Sequence, residues 1–464
     1  MADARLLDPG FPPAGEDAWR DLVARTLGDK PFESLTKATA EGLPIAPLYA
    51  GADAPAAFPP RPFHAERPWD LRVLSAHPDP ARVNAELLAD LEGGAASVIV
   101  RGHAAPDALA RALKDVVVEL APVGLDAGFH APKAADALHA VAKASPGARL
   151  AFNFDPLGAF AEAGASPGPV ESHVVSAATV GVRHAQTYPH AALFLASGRV
   201  VHEAGGGEAA EVAFAAASAI AYAKALVRAG LPMAEAFARI TLGLAADADY
   251  FLTIAKLRAA RAVFARIAAA CGVDAQARIE ARSSRRMLTA QDAWTNMIRL
   301  TAAGFAAAAG GADAVTLGAF TDAIGLPTAF ARRQSRNTQL VLMEEAGVGR
   351  VADPAAGSGY VEALTDQIAR AAWERLQAIE AAGGAVAALT GGLVARDVAA
   401  ASAARREPKI LGVTAFPPTE PAKVEVEAAA PAALDPEGAR LPGPDGKCPP
   451  LKPMRLSETH EVAA

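Results

Sequence analysis

The side chains able to do chemistry in this chain are spread out, and few fall at spacings that a reaction would need. His184 and His190 stand six apart with no carboxylate pattern to complete a metal site, and no metal centre is expected. Gly205-Gly206-Gly207 precedes a helical stretch, and such a run either cradles a phosphate at the positive end of the helix or makes a turn, the turn being the simpler reading. Gly446-Lys447 is followed by Cys448 rather than Ser or Thr, so the phosphate-binding Gly-Lys-Ser/Thr word is absent. Arg332, Arg333 and Arg336 form a basic cluster that suits a phosphate or an acidic surface, with a solvated helix face as the default. Cys271 and Cys448 are the only cysteines, which leaves no disulfide framework or Cys-x-x-Cys word and fits a reducing cytoplasm.

The elements that must position these residues show as periodicity. Thr289 and Asp292 read as a capping box that starts a helix, with Trp294, Met297, Ile298, Thr301 and Phe305 as its inward face and Gly310-Gly311 as its end. Pro327 opens a further helix whose apolar face includes Leu340, Val341 and Met343 and which Gly347 closes. Candidate strands are Ser97 to Arg101, Gly124 to Phe129, Arg149 to Asp155, Ala192 to Ser197, Ile240 to Leu244, Arg278 to Ser283 and Val315 to Phe320, with Arg350 to Asp353 as a weaker eighth. Helical patterns fall between them: Pro80 to Leu91, Ala105 to Leu120, Ala134 to Ala144, Ala209 to Val227 and Phe251 to Ala270; a last long helix covers Val361 to Ala382. Short strands that alternate with helices predict an α/β fold, a (β/α)8 barrel, rather than an open doubly wound sheet. The expected division is an N-terminal arm over 1–60, a barrel over 61–405 and a tail over 406–464. The Pro-, Ala- and Glu-rich run from Phe416 to Pro453 is expected to pack no core.

The chain has 464 residues and a net charge of −7, which argues against nucleic acid as a partner, because phosphates call for a basic surface. Its N-terminus lacks the positive region and apolar core of a signal peptide. The most apolar stretch, Val212 to Val227, carries Lys224 and an amphipathic period, so it reads as a buried helix and no membrane partner is expected.

Several words resemble one family in the right order: Phe251 to Arg261 (FLTIAKLRAAR), Gly325 to Thr328 (GLPT), Arg336 to Leu340 (RNTQL), Arg350 to Tyr360 (RVADPAAGSGY) and Glu362 to Thr365 (EALT). They are similar to the cobalamin-dependent acyl-CoA mutases, above all the methylmalonyl-CoA mutase family, over about Lys30 to Pro418, with Pro47-Leu48-Tyr49 as the lead-in to the barrel. The resemblance implies a TIM barrel whose bore takes an acyl-CoA, an arm that wraps a partner subunit, and adenosylcobalamin held by an Asp-x-His-x-x-Gly word. None of the ten histidines has Asp two places before it, and the nearest case, Asp136 with His139, is out of register by one. The stretch after the barrel is also expected to be too short for a cobalamin domain.

The family's catalytic chains carry a Tyr-His pair in Gly-Tyr-His-x-Gln-Glu-Ala-Gly. The matching stretch here is Gly198 to Gly205, with Arg199 in place of tyrosine and Val200 in place of histidine, and valine has no donor for a thioester carbonyl. His202, displaced by two positions, is the one substitute within reach. The His-Thr-Asn-Ala-Phe stretch appears as Thr316-Leu317-Gly318-Ala319-Phe320, the DPW-GS-YY word as Asp353-Pro354-Ala355 with Gly357 to Tyr360, and the tyrosine-bearing word expected before the first strand is replaced by Leu74 to Pro78. The scaffold words stay while the reactive ones go, so no catalytic, cofactor-binding or metal residue is expected in this chain.

What this implies is the non-catalytic small subunit of a heterodimeric methylmalonyl-CoA mutase, an isomerase of propionate metabolism. Its large subunit would hold both adenosylcobalamin and the acyl-CoA substrate. Two alternatives stay open: a catalytic substrate-barrel subunit whose cobalamin domain lies on a separate chain, and an assembly scaffold for a GTPase that loads cobalamin.

Overall fold

A computed structural model of the chain describes residues 15–49, 58–62, 64, 66–407, 409–420, 423–434 and 446–461. Its centre is a closed barrel of eight parallel strands in sequence order: β1 (Asp70–Ser75), β2 (Ser97–Arg101), β3 (Val123–Asp126), β4 (Leu150–Phe154), β5 (Ala192–Ser197), β6 (Ile240–Ala246), β7 (Arg278–Ser283) and β8 (Ala314–Thr316). Closure comes from β8, which pairs with β7 on one side and β1 on the other, setting Val315 opposite both Ala281 and Leu71. Strands buried on both sides read as unbroken apolar runs, and β5 and β6 are buried along their whole length.

Two strand expectations need correction. The eighth strand is β1, at the front of the barrel, whereas Arg350 to Asp353 is turn and bend. In β1 the residues Asp70, Arg72 and Leu74 are half-buried and alternate with buried Leu71, Val73 and Ser75, so charges interrupt the apolar run that marks strands such as β5 and β6. Leu74 to Pro78 therefore lies at the outgoing end of the first strand, not before it.

The helices form the outer ring. After the arm's α1 (Glu16–Leu27) they run α2 (Pro80–Glu92), α3 (Pro106–Ala112), α4 (Ala131–Ala142), α5 (Pro156–Ala163), α6 (Val170–Ala185), α7 (Arg199–Glu203), α8 (Glu208–Arg228), α9 (Met233–Ala238), α10 (Tyr250–Ala270), α11 (Asn296–Ala309), α12 (Ala329–Leu340), α13 (Gly359–Ala381), α14 (Ala385–Thr390) and α15 (Leu393–Ala404). Local chemistry starts several of them: Asp79 caps α2 by accepting from the Ala81 amide ahead of Pro80, and Thr328 does the same for α12 through Ala331. By length and composition α8 could cross a membrane, yet 78% of its apolar window is buried within the barrel wall.

The helix expected at Thr289 begins at Asn296. Thr289 spends its hydroxyl as a donor to the Asp292 carbonyl and its amide on the Asn296 side chain, which closes a turn instead of capping. The inward face is also different. Asn296, Leu300, Ala303, Gly304 and Ala307 are buried, whereas Ile298 is 69% exposed and Trp294 and Phe305 are both 37% exposed. Alanine on this face lets the helix sit close to the sheet, so the large side chains turn outward.

The tail packs, contrary to expectation. Its amides donate to carbonyls left open around the barrel, Ala432 to Ala76 (2.7 Å), Leu451 to Ala161 (2.8 Å), Met454 to Glu203 (2.9 Å) and Leu456 to Arg286 (2.9 Å), and it buries Cys448, Leu451 and Ser457. A sequence poor in apolar residues can still dock through its backbone.

Candidate functional site

The outgoing ends of the strands surround a cavity of about 520 Å3, roofed by Pro431, Leu434 and Pro453 of the tail. This is the face where barrels of this kind keep their active sites. Its floor is a charged network inside the bore. Arg72 of β1 bonds Glu280 of β7 at 2.6 Å and Asp70 at 2.6 Å. Arg282 of β7 bonds Glu280 through Nε at 2.8 Å and Asp126 of β3 through Nη1 at 3.0 Å, and Arg101 of β2 joins Asp126 at 3.1 Å. Since β3 and β7 lie on opposite sides of an eight-membered ring, the Arg282–Asp126 pair runs across the bore. Burial opposes ionisation of Glu280, but Arg282 and Arg72 outweigh it and hold its carboxyl down at about 2; Asp126 is likewise held well below the usual range, by Arg101 and Arg282 against burial.

Arg199 and Val200, at the start of α7, both line the cavity. Among the described residues the Arg199 guanidinium makes one hydrogen bond, Nε to Ser197 Oγ at 3.2 Å; burial lowers its pKa and the neighbouring Arg282 charge adds to the effect, while Glu280, Asp126 and Asp155 oppose it. Asp155 also lines the cavity; burial pushes its carboxyl up to about 7, although the Tyr222 hydroxyl (2.7 Å) and the Gly158 amide (3.1 Å) both donate to it. Thr316, Leu317, Gly318 and Ala319, at the end of β8, line the cavity too, and Asp322 just beyond them is raised by burial to about 6.

His202 does not line this cavity. It is fully buried beside it, with Nε2 3.1 Å from both Asp247 and Ser284 and Nδ1 3.2 Å from Glu211, inside a knot that also contains the Lys256–Glu211 pair (2.6 Å) and the Arg286–Asp247 pair (2.9 Å). It cannot meet a ligand there in place of the family's histidine. The glycine run makes a turn into α8, and the helix's first free amides are already taken. Glu41 of the arm accepts from Ala209 (2.8 Å) and Ala210 (3.0 Å) and pairs with Arg375 (3.3 Å). A side chain at Gly207 would collide with the Glu41 carboxylate, which is why glycine stands there.

The remaining candidates separate. His184 is buried on Asp136 (2.8 Å) and stacks with His139, while His190 is exposed on the surface. Arg332 and Arg336 are not solvated: both bond Asp90 of α2, Arg336 at 2.6 Å, and Arg332 also reaches Glu86 at 3.2 Å, leaving Arg333 alone exposed. Asp353 pairs with Arg258 (2.9 Å) and Tyr360 packs on Phe251, both outside the cavity. Among the described residues no three His, Cys, Asp or Glu side chains are grouped to hold a metal ion. A corrinoid does not fit here. The cavity has the size of a drug-sized ligand, its roof is the chain's own tail, and its one lining histidine, His77, accepts from the Asp79 amide through Nδ1 at 3.0 Å.

The charged floor was missed in the sequence. Its signal was present as alternation of charge at period two, Arg278-Ile-Glu280-Ala-Arg282 and Asp70-Leu-Arg72, in strands that should otherwise be apolar.

Comparison with known proteins agrees with this architecture. The family model described as methylmalonyl-CoA mutase matches residues 107–439. The chain is 40% identical to the methylmalonyl-CoA mutase small subunit of Streptomyces virginiae, over 92% of this chain and 74% of that one. It is 38% identical to the probable methylmalonyl-CoA mutase small subunit of Mycobacterium bovis (strain ATCC BAA-935 / AF2122/97), over 86% of this chain and 71% of the other. Against the large subunit of the Streptomyces virginiae enzyme the identity falls to 28%, over 84% of this chain and 60% of that one.

Proposed function

This chain belongs to the methylmalonyl-CoA mutase family of cobalamin-dependent isomerases, and we propose that it acts there as the non-catalytic small subunit of a heterodimer. The observation that carries this reading is the Arg282–Asp126 pair across the bore (3.0 Å), which stands where the resemblance calls for an acyl-CoA to pass. Arg199 and Val200 add to it, because neither reproduces a tyrosine and histidine pair. The conversion of methylmalonyl-CoA to succinyl-CoA, the substrate and adenosylcobalamin then fall to the large subunit. Residues 1–60 serve as an arm, 61–405 as the barrel and 406–464 as a tail that closes the barrel's mouth.

Support for a partner comes from large apolar side chains left outside, among them Trp294 in the turn before α11, Ile298 and Phe305 along α11 and Phe330 on α12, and from an α1 that buries no residue of its own. Exposed aromatic groups of this kind are a common anchor for association. Two free cysteines, Cys271 and Cys448, support a cytoplasmic setting. The test is expression of the chain alone and with its large subunit. The isolated chain is expected to show no mutase turnover and no cobalamin spectrum with added adenosylcobalamin, whereas the pair shows both; turnover by the isolated chain overturns the reading. The alternative, a catalytic barrel with its cobalamin domain elsewhere, needs the same bore to be open.

A further inference from the structure

Seven carboxylates and five guanidiniums line the cavity, so the wall is acidic as a whole, yet its cations are not all matched. Of the guanidiniums in and above the bore, Arg72, Arg101 and Arg282 are each paired with Asp70, Asp126 or Glu280, but Arg199 forms no ion pair among the described residues and keeps both terminal nitrogens without a protein acceptor. A second vacant donor adjoins it: Nη2 of Arg282, on a residue only 9% exposed, has no hydrogen-bond partner. Leaving a guanidinium in a sheltered cavity without an acceptor is unfavourable. Asp155 lines the same cavity, but with its carboxyl pushed up to about 7 by burial it supplies only part of a counter-charge near neutral pH.

We propose that the mouth cavity is a binding site for a small free carboxylic acid with a short apolar chain, its carboxylate held by Arg199 and the free donor of Arg282. The guanidinium fork matches a carboxylate in a two-bond geometry that a single ammonium cannot offer. Leu125, Leu195 and Val200 line the space beside it and suit a few methylene groups, which favours an organic acid over inorganic phosphate. The ligand is a free acid and not a coenzyme A thioester, because Arg282–Asp126 blocks the way through the bore and Pro431, Leu434 and Pro453 of the tail narrow the open mouth. The site goes beyond a purely supporting role, since it gives this subunit a ligand of its own, and it uses the closed bore without depending on which chain carries the catalysis.

Titration calorimetry on the full chain, alone and in complex with its large subunit, tests the site with butyrate, succinate, inorganic phosphate and a butyryl-CoA thioester as probes. Butyrate or succinate is expected to bind once per chain, with affinity at least tenfold weaker in Arg199→Gln and intermediate in Arg199→Lys, which keeps the charge but loses the fork. Absence of saturable binding by both acids, equal affinity in the parent and the variants, or phosphate binding as tightly as the acids each overturns the proposal. Should Arg199→Gln fail to fold, the Arg199→Lys comparison decides it. Saturable binding of the thioester to the isolated chain, lost in Arg199→Gln, overturns both the free-acid site and the closed-bore reading. Failure of the acids alone leaves the supporting-subunit reading in place.

Discussion

Arg282 on β7 donates from Nη1 to Asp126 on β3 at 3.0 Å, joining strands that face each other through the middle of the barrel. In a (β/α)8 barrel the interior is normally packed by branched apolar layers. Here an ionic network does that work, and each of its members is tied to at least one other. Removing one partner from such a network leaves each of its neighbours with one counter-charge fewer. Arg282→Met is expected to cost about 3 kcal/mol, the lower end for breaking a buried pair because Arg101 still holds Asp126 and Arg72 still holds Glu280. The double variant Arg282→Met with Asp126→Leu should recover part of that loss. Urea midpoints for the single and double variants check the claim, and a double variant less stable than the single would contradict it.

The tail gives a second prediction through its cysteine. Cys448 is buried with Sγ 3.5 Å from the Phe160 carbonyl, and burial pushes its thiol up to about 11, whereas Cys271 is exposed. A thiol reagent near neutral pH acts on thiolate, so one sulfhydryl per folded chain should react quickly and the other slowly. Leu451→Asp, which places a charge at a position only 3% exposed, is expected to lift the tail and speed the second reaction by at least tenfold. Counting labelled thiols against time by mass spectrometry reads this directly; two equally fast thiols in the parent would mean the tail does not cover the barrel.

How much of this was legible in the sequence depends on the kind of force involved. Strands β2, β5 and β7 were read to the residue, β2 and β5 from their apolar runs and β7 from its short alternating pattern between turns. Strand β1 was missed since Asp70 and Arg72 point charge at the bore, a demand set by β7 some two hundred residues away. The α11 face was read wrongly for a related reason: size marks an inward face only when there is room, and the sheet here accepts alanine. Arg199 and Val200, where the resemblance expects tyrosine and histidine, were legible as residue types. Closure of the bore was not, because it rests on a contact across the ring that no local pattern encodes. The tail's docking through backbone amides likewise leaves no mark in side-chain composition.

Asp155 sets a dependence on pH. Its folded carboxyl titrates at about 7, against an ordinary value of 3.8, so the native chain holds a proton that the unfolded chain releases. Its contribution is therefore fully present below about pH 4 and is lost as pH rises through about 7, after which it is flat. Asp155→Asn keeps an oxygen for the Gly158 amide and the Tyr222 hydroxyl but cannot titrate. The stability difference, variant minus parent, should grow by about 2 to 4 kcal/mol between pH 4 and pH 8. Denaturation curves across that range test it, and a difference that does not change with pH would show that the carboxyl is ionised throughout.

Glu41 makes the arm part of the barrel. Its carboxylate accepts from the Ala209 and Ala210 amides, the open end of α8, and pairs with Arg375 of α13, so one side chain ties the arm to two helices. An acidic group at this end of a helix is favoured by the helix dipole as well as by the two hydrogen bonds. Burial nonetheless raises its pKa, Glu208 adding to the effect and Arg375 opposing it, so the contact is sensitive to any loss of its partners. Glu41→Ala is expected to leave the barrel folded, to cost about 1 to 2 kcal/mol, and to release the segment around the Lys37–Ala38 and Pro44–Ile45 hairpin. Limited proteolysis should then cut between residues 29 and 49 at least five times faster in the variant, with the core fragment unchanged. In a heterodimer whose arm clasps the large subunit, the same variant should also weaken association, measured by analytical ultracentrifugation; unchanged cutting rates would show that Glu41 does not anchor the arm, and faster cutting with unchanged association would confine the arm's role to its own barrel.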